Sequence, residues 1–400
     1  MQRNSIATAG GIFDSYKSVE KSCDDIMAEL GGEPGLVIVS HTATSDSSIY
    51  AQTIQHKFPT ANCMGSTTCR GVLTQSGLSE FGKPGYALWA MRDLDGDFGV
   101  GIASFSDSIH TATLSALDQA IGNADREGEL PDLIWIHSSP GNEEQVVKSI
   151  NDYYGGDVLI VGGSSADEAL EAKWSCFADV VSTGSGVSVA VFYTSFKVTT
   201  SFQSGYIPTS HKGIATRCNG RVVYEIDNKP AAHVYNEWTN NLVDLQNQPL
   251  PVNVLGTSTL SPLGVAMGDV AGIAYYNLAH PETYTEQQAL SFFCQIDEGE
   301  ELTLMEGTPD NILSRPARVA NEAAHVYSDQ LGDVAGGLII FCGGCLLAVE
   351  SRANEIHDHL ATTLANAPYM GCFTFGEQGQ FLNGENRHGN LMISATLFHR

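Results

Sequence analysis

The chain has 400 residues, enough for two or three domains of roughly 150 residues and a sizeable core. Its 46 Asp and Glu against 20 Lys and Arg leave a formal charge of −26, which repels phosphate backbones and anionic lipid and so excludes nucleic acid and membrane surfaces as partners. With 16 % charged and 42 % hydrophobic residues, the composition also excludes a disordered chain.

From the N-terminus, Val19, Cys23, Ile26, Met27 and Leu30 recur at helical spacing, predicting a helix from about Asp14 to Leu30 that Gly31-Gly32 stops. GLVIVSHTATS reads as a buried strand ending near His41, SDSSIYAQTIQHKFP as a helix and ANCMGSTTCRGVL as a second strand. This strand–helix–strand unit recurs at 131–168 and 336–381, giving three diverged βαβ-like copies. The segments between them alternate as antiparallel strands do. Hairpins are expected around Asp95-Gly96, Asn219-Gly220, Asp227-Asn228 and Glu298-Gly299, and a helix after Pro230. The predicted class is α/β, with mixed sheets built from βαβ-like repeats plus antiparallel hairpins. The stretch 241–264 carries the least pattern.

Nine cysteines, mostly inside apolar runs as at Cys176, Cys294 and Cys372, predict reduced thiols in a cytoplasm. The first residues lack the apolar core of a secretory signal, and no apolar run reaches the 18 to 20 residues of a membrane span.

Catalytic spacings are missing or incomplete. There is no GxxxxGK[ST] and no HExxH, and Gly162-Gly163-Ser164-Ser165-Ala166 is one residue short of a nucleophile elbow, so no catalysis is expected. Cys342-Gly343-Gly344-Cys345 is a CxxC at a strand-to-helix junction, where a thiolate is favoured and redox chemistry is possible. Arg70 follows a strand end, where a guanidinium meets carboxylates. His41 and His137 end the first strands of two repeats, where open sheets hold ligands. His280 precedes a proline, and His388 sits between a turn and the last strand.

Residues 35–80, VGGSSADE at 161–168, YEIDNKPAAHVYNEW at 224–238, LIIFCGGCLLAV and PYMGCFTFGEQGQFLNGENRHGN together resemble the FIST N and FIST C domains. The resemblance implies two packed FIST regions, 1–220 and 221–400, in a prokaryotic, bacterial-type sensor of a small ligand. The HSSPGNEE, CGGC and GENRHGN runs look closest to the NosP-type subgroup. That implies non-covalent haem b, nitric oxide sensing and a partner histidine kinase of a two-component system, with a homo-oligomer possible; there is no CxxCH for covalent attachment. The expected ligand residues are His41, Arg70, His137, Cys342, Glu377 and Arg387, with His137, His388 and His280 as iron ligands, gathered on one cleft. Two alternatives stand beside this reading. One is a sensor of an amino acid or other small polar ligand, with Arg70 on its carboxylate and Glu377 on its ammonium. The other is a thiol-redox protein acting through Cys342 and Cys345.

Overall fold

A computed structural model describes residues 4–106, 108–245, 247–270, 272–325, 333–365 and 367–400. The first unit contains β1 (Ile6–Ile12), α1 (Tyr16–Leu30), β2 (Leu36–Thr42), α2 (Ser47–Lys57) and β3 (Asn62–Thr68). It closes with a short hairpin, β4 (Val72–Thr74) and β5 (Gly77–Leu78), and β6 (Gly85–Met91). The second unit repeats that order as β7 (Asp97–Ser104), α3 (Ile109–Ala124), β8 (Leu133–Ser138), α4 (Glu143–Tyr154) and β9 (Ile160–Ser164). Its hairpin is β10 (Cys176–Ala178) and β11 (Val181–Thr183), and β12 (Gly186–Tyr193) ends it.

The third unit opens with β13 (Lys197–Ser204) and is then interrupted by an insertion. The insertion runs through β14 (Ile207–Asn219), β15 (Val222–Ile226), β16 (Lys229–Pro230), α5 (Ala231–Trp238), β17 (Val252–Asn253) and α6 (Leu255–Ser258). It continues with β18 (Leu263–Val270), β19 (Ile273–Ala279), β20 (Pro281–Tyr284), β21 (Leu290–Phe292) and β22 (Glu301–Glu306). The unit resumes with α7 (Pro309–His325), β23 (Val334–Cys342), α8 (Gly343–Ala348), α9 (Asn354–Leu364) and β24 (Tyr369–Thr374). Its hairpin is β25 (Glu377–Gln380) and β26 (Asn386–Gly389), and β27 (Met392–His399) is last.

Each unit builds most of one six-stranded sheet, and the hairpins are exchanged in a ring. The sheets run β1-β6-β2-β3-β10-β11, β7-β12-β8-β9-β25-β26 and β13-β27-β23-β24-β4-β5. Thus the second unit's hairpin completes the first sheet, the third's completes the second, and the first's completes the third. The parallel pairs β2/β3, β8/β9 and β23/β24 are the predicted repeats, and the α/β class with mixed sheets holds. All seven residues of β2 are buried, as a parallel strand covered on both faces requires.

Inward faces of all three sheets meet in one core that includes Trp89, Trp135, Phe192 and Phe398, with ring centroids of Trp89 and Phe398 5.3 Å apart. Outward faces are covered by α1 and α2, by α3 and α4, and by α7 and α9. Register makes Ile38, Trp135 and Ile340 one position seen three times, opposite Met64, Val161 and Cys372. Two residues further on, the same count puts Ser40, His137 and Cys342 in a second shared position on the core-facing side.

Helix ends follow local chemistry. The Asp46 carboxylate accepts the Ser48 N–H at 2.9 Å to start α2, Ser108 Oγ accepts the Thr111 N–H at 3.2 Å to start α3, and Gly31 at φ 67° ends α1. The turns at Asn219-Gly220 and Asp227-Asn228 join paired strands as expected. Two other hairpins do not form. β6 and β7, joined through Asp95-Gly96, belong to different sheets, because both edges of β6 are already taken by β1 and β2. β21 and β22, joined through Glu298-Gly299, are separated by β15 and β14, which lie between them in the nine-stranded sheet of the insertion.

β7 lies so close on α3 that a Cβ at Gly101 would run into the Ala116 carbonyl oxygen. Gly101→Ala is expected to cost about 2 to 3 kcal/mol, read as a lower urea midpoint with unchanged slope; an unchanged midpoint would contradict this packing.

Candidate functional site

The carboxyl ends of β3, β9 and β24 converge and are tied to one another by main-chain bonds. The Cys69 N–H donates to Phe373 O (2.9 Å), the Ala166 N–H to Thr67 O (3.0 Å) and the Ser164 N–H to Gly376 O (2.8 Å). Strand ends that the sequence places some 300 residues apart therefore meet, but their side chains enter separate surroundings.

His41 is fully buried and stacked on Tyr50. Its Nδ1 bonds Thr42 O at 2.9 Å and its Nε2 bonds Ser47 Oγ at 2.9 Å. His137 is also fully buried. The Trp135 indole N–H donates to its Nε2 at 3.0 Å; because an indole only donates, that nitrogen carries the lone pair and Nδ1–H donates to Gly163 O at 3.2 Å. The ring is thereby fixed as one neutral tautomer. His280 points its Nε2 at Leu255 O, 3.0 Å away. Burial pulls His41, His137 and His280 each down to about 4.

Arg70 adopts φ 65° at its turn and places Nε 3.8 Å from Glu350, on a half-buried surface. Cys342 and Glu377 do meet: burial and the Cys342 thiol raise the Glu377 carboxyl well above its ordinary range, although its oxygens accept from Thr374 Oγ1 and the Met392 N–H, both 3.0 Å away. Burial and Cys345 likewise raise the Cys342 thiol, and the Tyr206 hydroxyl lies 3.6 Å from Cys345 Sγ. A raised thiol at Cys342 disfavours the thiolate that CxxC redox chemistry uses.

A second buried polar cluster joins the second unit to the inserted sheet. Glu143, in the first turn of α4, accepts from Ser164 Oγ at 2.7 Å, from the Gly141 N–H at 2.9 Å and from Arg221 Nη2 at 2.6 Å. Arg221, at the β14–β15 turn, also holds Glu144 at 2.6 Å. Burial pushes the Glu143 carboxyl up, but the positive charge beside it and the hydrogen bonds from Ser164 and Arg221 keep it below its ordinary value. His388 sits against this cluster; its Nε2–H donates to Phe293 O at 3.2 Å, and its Nδ1 faces the Gln378 amide nitrogen at 3.1 Å.

His388 and Arg387 open onto a cleft of about 1210 Å³ between α4, the inserted sheet and the β25–β26 hairpin. Its floor includes Cys294 and Asn277, whose amide nitrogen donates to His388 O at 3.0 Å. Carboxylates dominate its walls: Glu144, Asp152, Asp157, Asp297, Glu300 and Glu385 against Lys148 and Arg387. Lys148 is paired with Asp152 and Arg387 with Glu385. Of the expected residues, only Arg387 and His388 line this cleft. Glu143, Glu144, Arg221 and Asn277 were missed in the sequence, where a glutamate in the first turn of a helix reads as a solvated end and an arginine beside a turn as surface.

Haem, the cofactor the resemblance implies, does not fit these residues. An axial ligand needs a free imidazole lone pair. That of His137 is taken by the Trp135 indole and that of His388 by the Gln378 amide, while neither His137 nor His280 lines the cleft. The acidic walls would also repel propionates. Among the described residues no group of three His, Cys, Asp or Glu side chains is placed to hold a metal ion, and no helix is long and apolar enough to cross a membrane.

Residues 35–229 match the family described as FIST N domain and residues 231–380 match the FIST C domain. A search of curated proteins finds no match. Among solved structures, the chain aligns with cyanuric acid hydrolase from A. caulinodans at 8 % identity and TM-score 0.34, over 99 % of both chains. It also aligns with phosphoribosylformylglycinamidine synthase II from Thermotoga maritima at 8 % identity and TM-score 0.22, over 100 % of this chain and 74 % of that one.

Two outcomes follow from the buried groups. Unfolded imidazoles titrate near 6.5 and the three folded ones near 4. In that window the unfolded chain binds more protons, so their contribution rises with pH and is lost as pH falls from 6.5 toward 4, by up to ~1.4 kcal/mol per unit for each ring. His137→Gln should flatten the melting-temperature profile of that window by one ring's share; an identical slope would contradict the assignment. Arg221→Met leaves Glu143 buried without its cation and should cost about 3 kcal/mol in urea unfolding, with Glu143→Gln in the same chain restoring part of it.

Proposed function

Because the chain belongs to the FIST family, with N and C domains in sequence order, we propose that it is a sensor whose ligand site is the cleft between α4 and the inserted sheet. FIST domains are signalling sensor domains that bind small ligands. The observation that carries the placement is the cleft itself: at about 1210 Å³ it has room for a small molecule, and its walls come from two different parts of the fold. Six carboxylates against two cations favour a ligand carrying an ammonium group, and Asp157, Asp297 and Glu300 form no ion pair among the described residues. Arg387 and Lys148, each in an exposed pair with Glu385 or Asp152, could exchange that partner for a ligand carboxylate, so an amino acid or a small polyamine fits the charge pattern. Arg70 and Glu377, the pair first expected for that task, are replaced by these groups. Glu377 is sealed in the core, and Arg70 faces Glu350.

The protein binds rather than turns over. Ser164 Oγ donates to Glu143, and a carboxylate held low beside Arg221 is a poor base for a serine nucleophile. Ligand bridging α4 and the insertion would favour one seat of the inserted sheet on the second unit, a seat now fixed by Arg221 on Glu143 and Glu144 and by the Gln295 N–H on Glu144 at 2.6 Å. A partner signalling protein, such as a histidine kinase, would read that change of seat.

Titration calorimetry with amino acids, diamines and dicarboxylates tests the reading. Amine-bearing compounds should bind saturably, with affinity about tenfold weaker in Asp297→Asn or Glu300→Gln, and dicarboxylates should not bind there. Failure of every amine, or indifference to both substitutions, would overturn it.

A further inference from the structure

A second cavity, of about 460 Å³, lies between α7, the β13–β14 junction and β19. Its charge is opposite to that of the cleft. Arg315, Arg318 and Glu322 recur at helical spacing on α7, and all three line it. Glu322 is held by two neutral donors: its Oε2 accepts from Ser201 Oγ at 3.0 Å and from the Gln203 amide nitrogen. Gln203 in turn accepts from Arg315 through its amide oxygen.

The Glu322 charge reaches Arg315 across that amide, but neither guanidinium forms an ion pair among the described residues. Arg315 Nε is buried with no hydrogen-bond partner, and Arg318 forms no ion pair or hydrogen bond among the described residues. In a chain with more than twice as many acids as bases, the buried, unpartnered Arg315 Nε carries a cost, and the two adjacent positive charges repel each other, both of which an anion would offset. Aromatic rings complete the walls. Tyr275 and Tyr206 line the cavity with Phe381, and the Tyr206 hydroxyl is already committed to Thr259 O at 2.8 Å, so this ring offers its apolar surface.

We infer that this cavity is a second ligand site, for a small organic oxyanion (a carboxylate or a phosphate ester) held by Arg315 and Arg318 with its apolar body against the tyrosine and phenylalanine rings. A planar fork of donors on each arginine suits either oxyanion. The site stands independently of the cleft reading, since it uses other residues and the opposite charge.

The test is calorimetric titration of the full chain with benzoate, phenyl phosphate and inorganic phosphate at low ionic strength. Saturable binding of benzoate or phenyl phosphate is expected, and whichever binds tighter identifies the oxyanion. Arg318→Gln removes an exposed side chain, so the fold should survive, and it should weaken binding about tenfold or more. Lys17→Gln, an equal charge change on exposed α1, and Asp297→Asn in the cleft should leave it unchanged. Inorganic phosphate should bind more weakly than its phenyl ester, because it lacks the body that the rings receive. No saturable binding of either aromatic anion, or equal weakening by Arg318→Gln and Lys17→Gln, would overturn the inference.

Discussion

Everything in this molecule depends on the exchange of hairpins around a ring of three sheets. No unit completes its own sheet: the fifth and sixth strands of each arrive from another unit, so an isolated unit would leave the outer edge of its parallel pair unpaired. The exchange also explains why the ends of β3, β9 and β24 are fastened to one another by main-chain hydrogen bonds. Each strand end is the place where the chain leaves for the neighbouring sheet. The convergence of distant strand ends follows from that connectivity, and so does the single apolar core that all three sheets share.

The same constraint decides which polar groups can be functional. Positions at the inner strand ends, such as His137 and Cys342, point into a closed core and must be satisfied there. The indole bond to His137 and the raised pKa values of Cys342 and Glu377 are the result. Groups on the exchanged β25–β26 hairpin sit at the edge of a sheet instead, and the inserted sheet covers them only in part. That difference puts Arg387 beside open space, where a ligand can reach it, with the buried His388 ring behind it in the cleft lining, and seals Glu377 on the facing strand of the same hairpin.

The repeats were legible in the sequence because each carries a short apolar strand, a helix and a second strand ending in glycine and hydroxyl residues, a local pattern. The helix Tyr16–Leu30 and the turns at Asn219-Gly220 and Asp227-Asn228 were legible for the same reason. The pairing of β6 with β7 and of β21 with β22 was misjudged, since a turn signal reports a change of direction and not the sheet a strand joins. At the site, Arg387 and His388 were visible as polar residues near the last strand. Glu143 and Arg221 were not, because a buried ion pair between positions 78 apart leaves no mark in either local sequence. The imidazoles proposed for iron were plausible by position, and only the hydrogen-bond geometry shows that the lone pairs of His137 and His388 are spent.

The central claim is that a small ammonium ligand sits between α4 and the inserted sheet and fixes their relative seat. Hydrogen–deuterium exchange of the intact chain, with and without a saturating amino acid or diamine, tests it most directly. The account predicts slowed exchange together in residues 143–157, 294–300 and 383–388, three of the segments that line the cleft, with the central strands β2, β8 and β23 unchanged. Protection confined to one wall, or centred on the strand ends around His137 and Cys342, would contradict it.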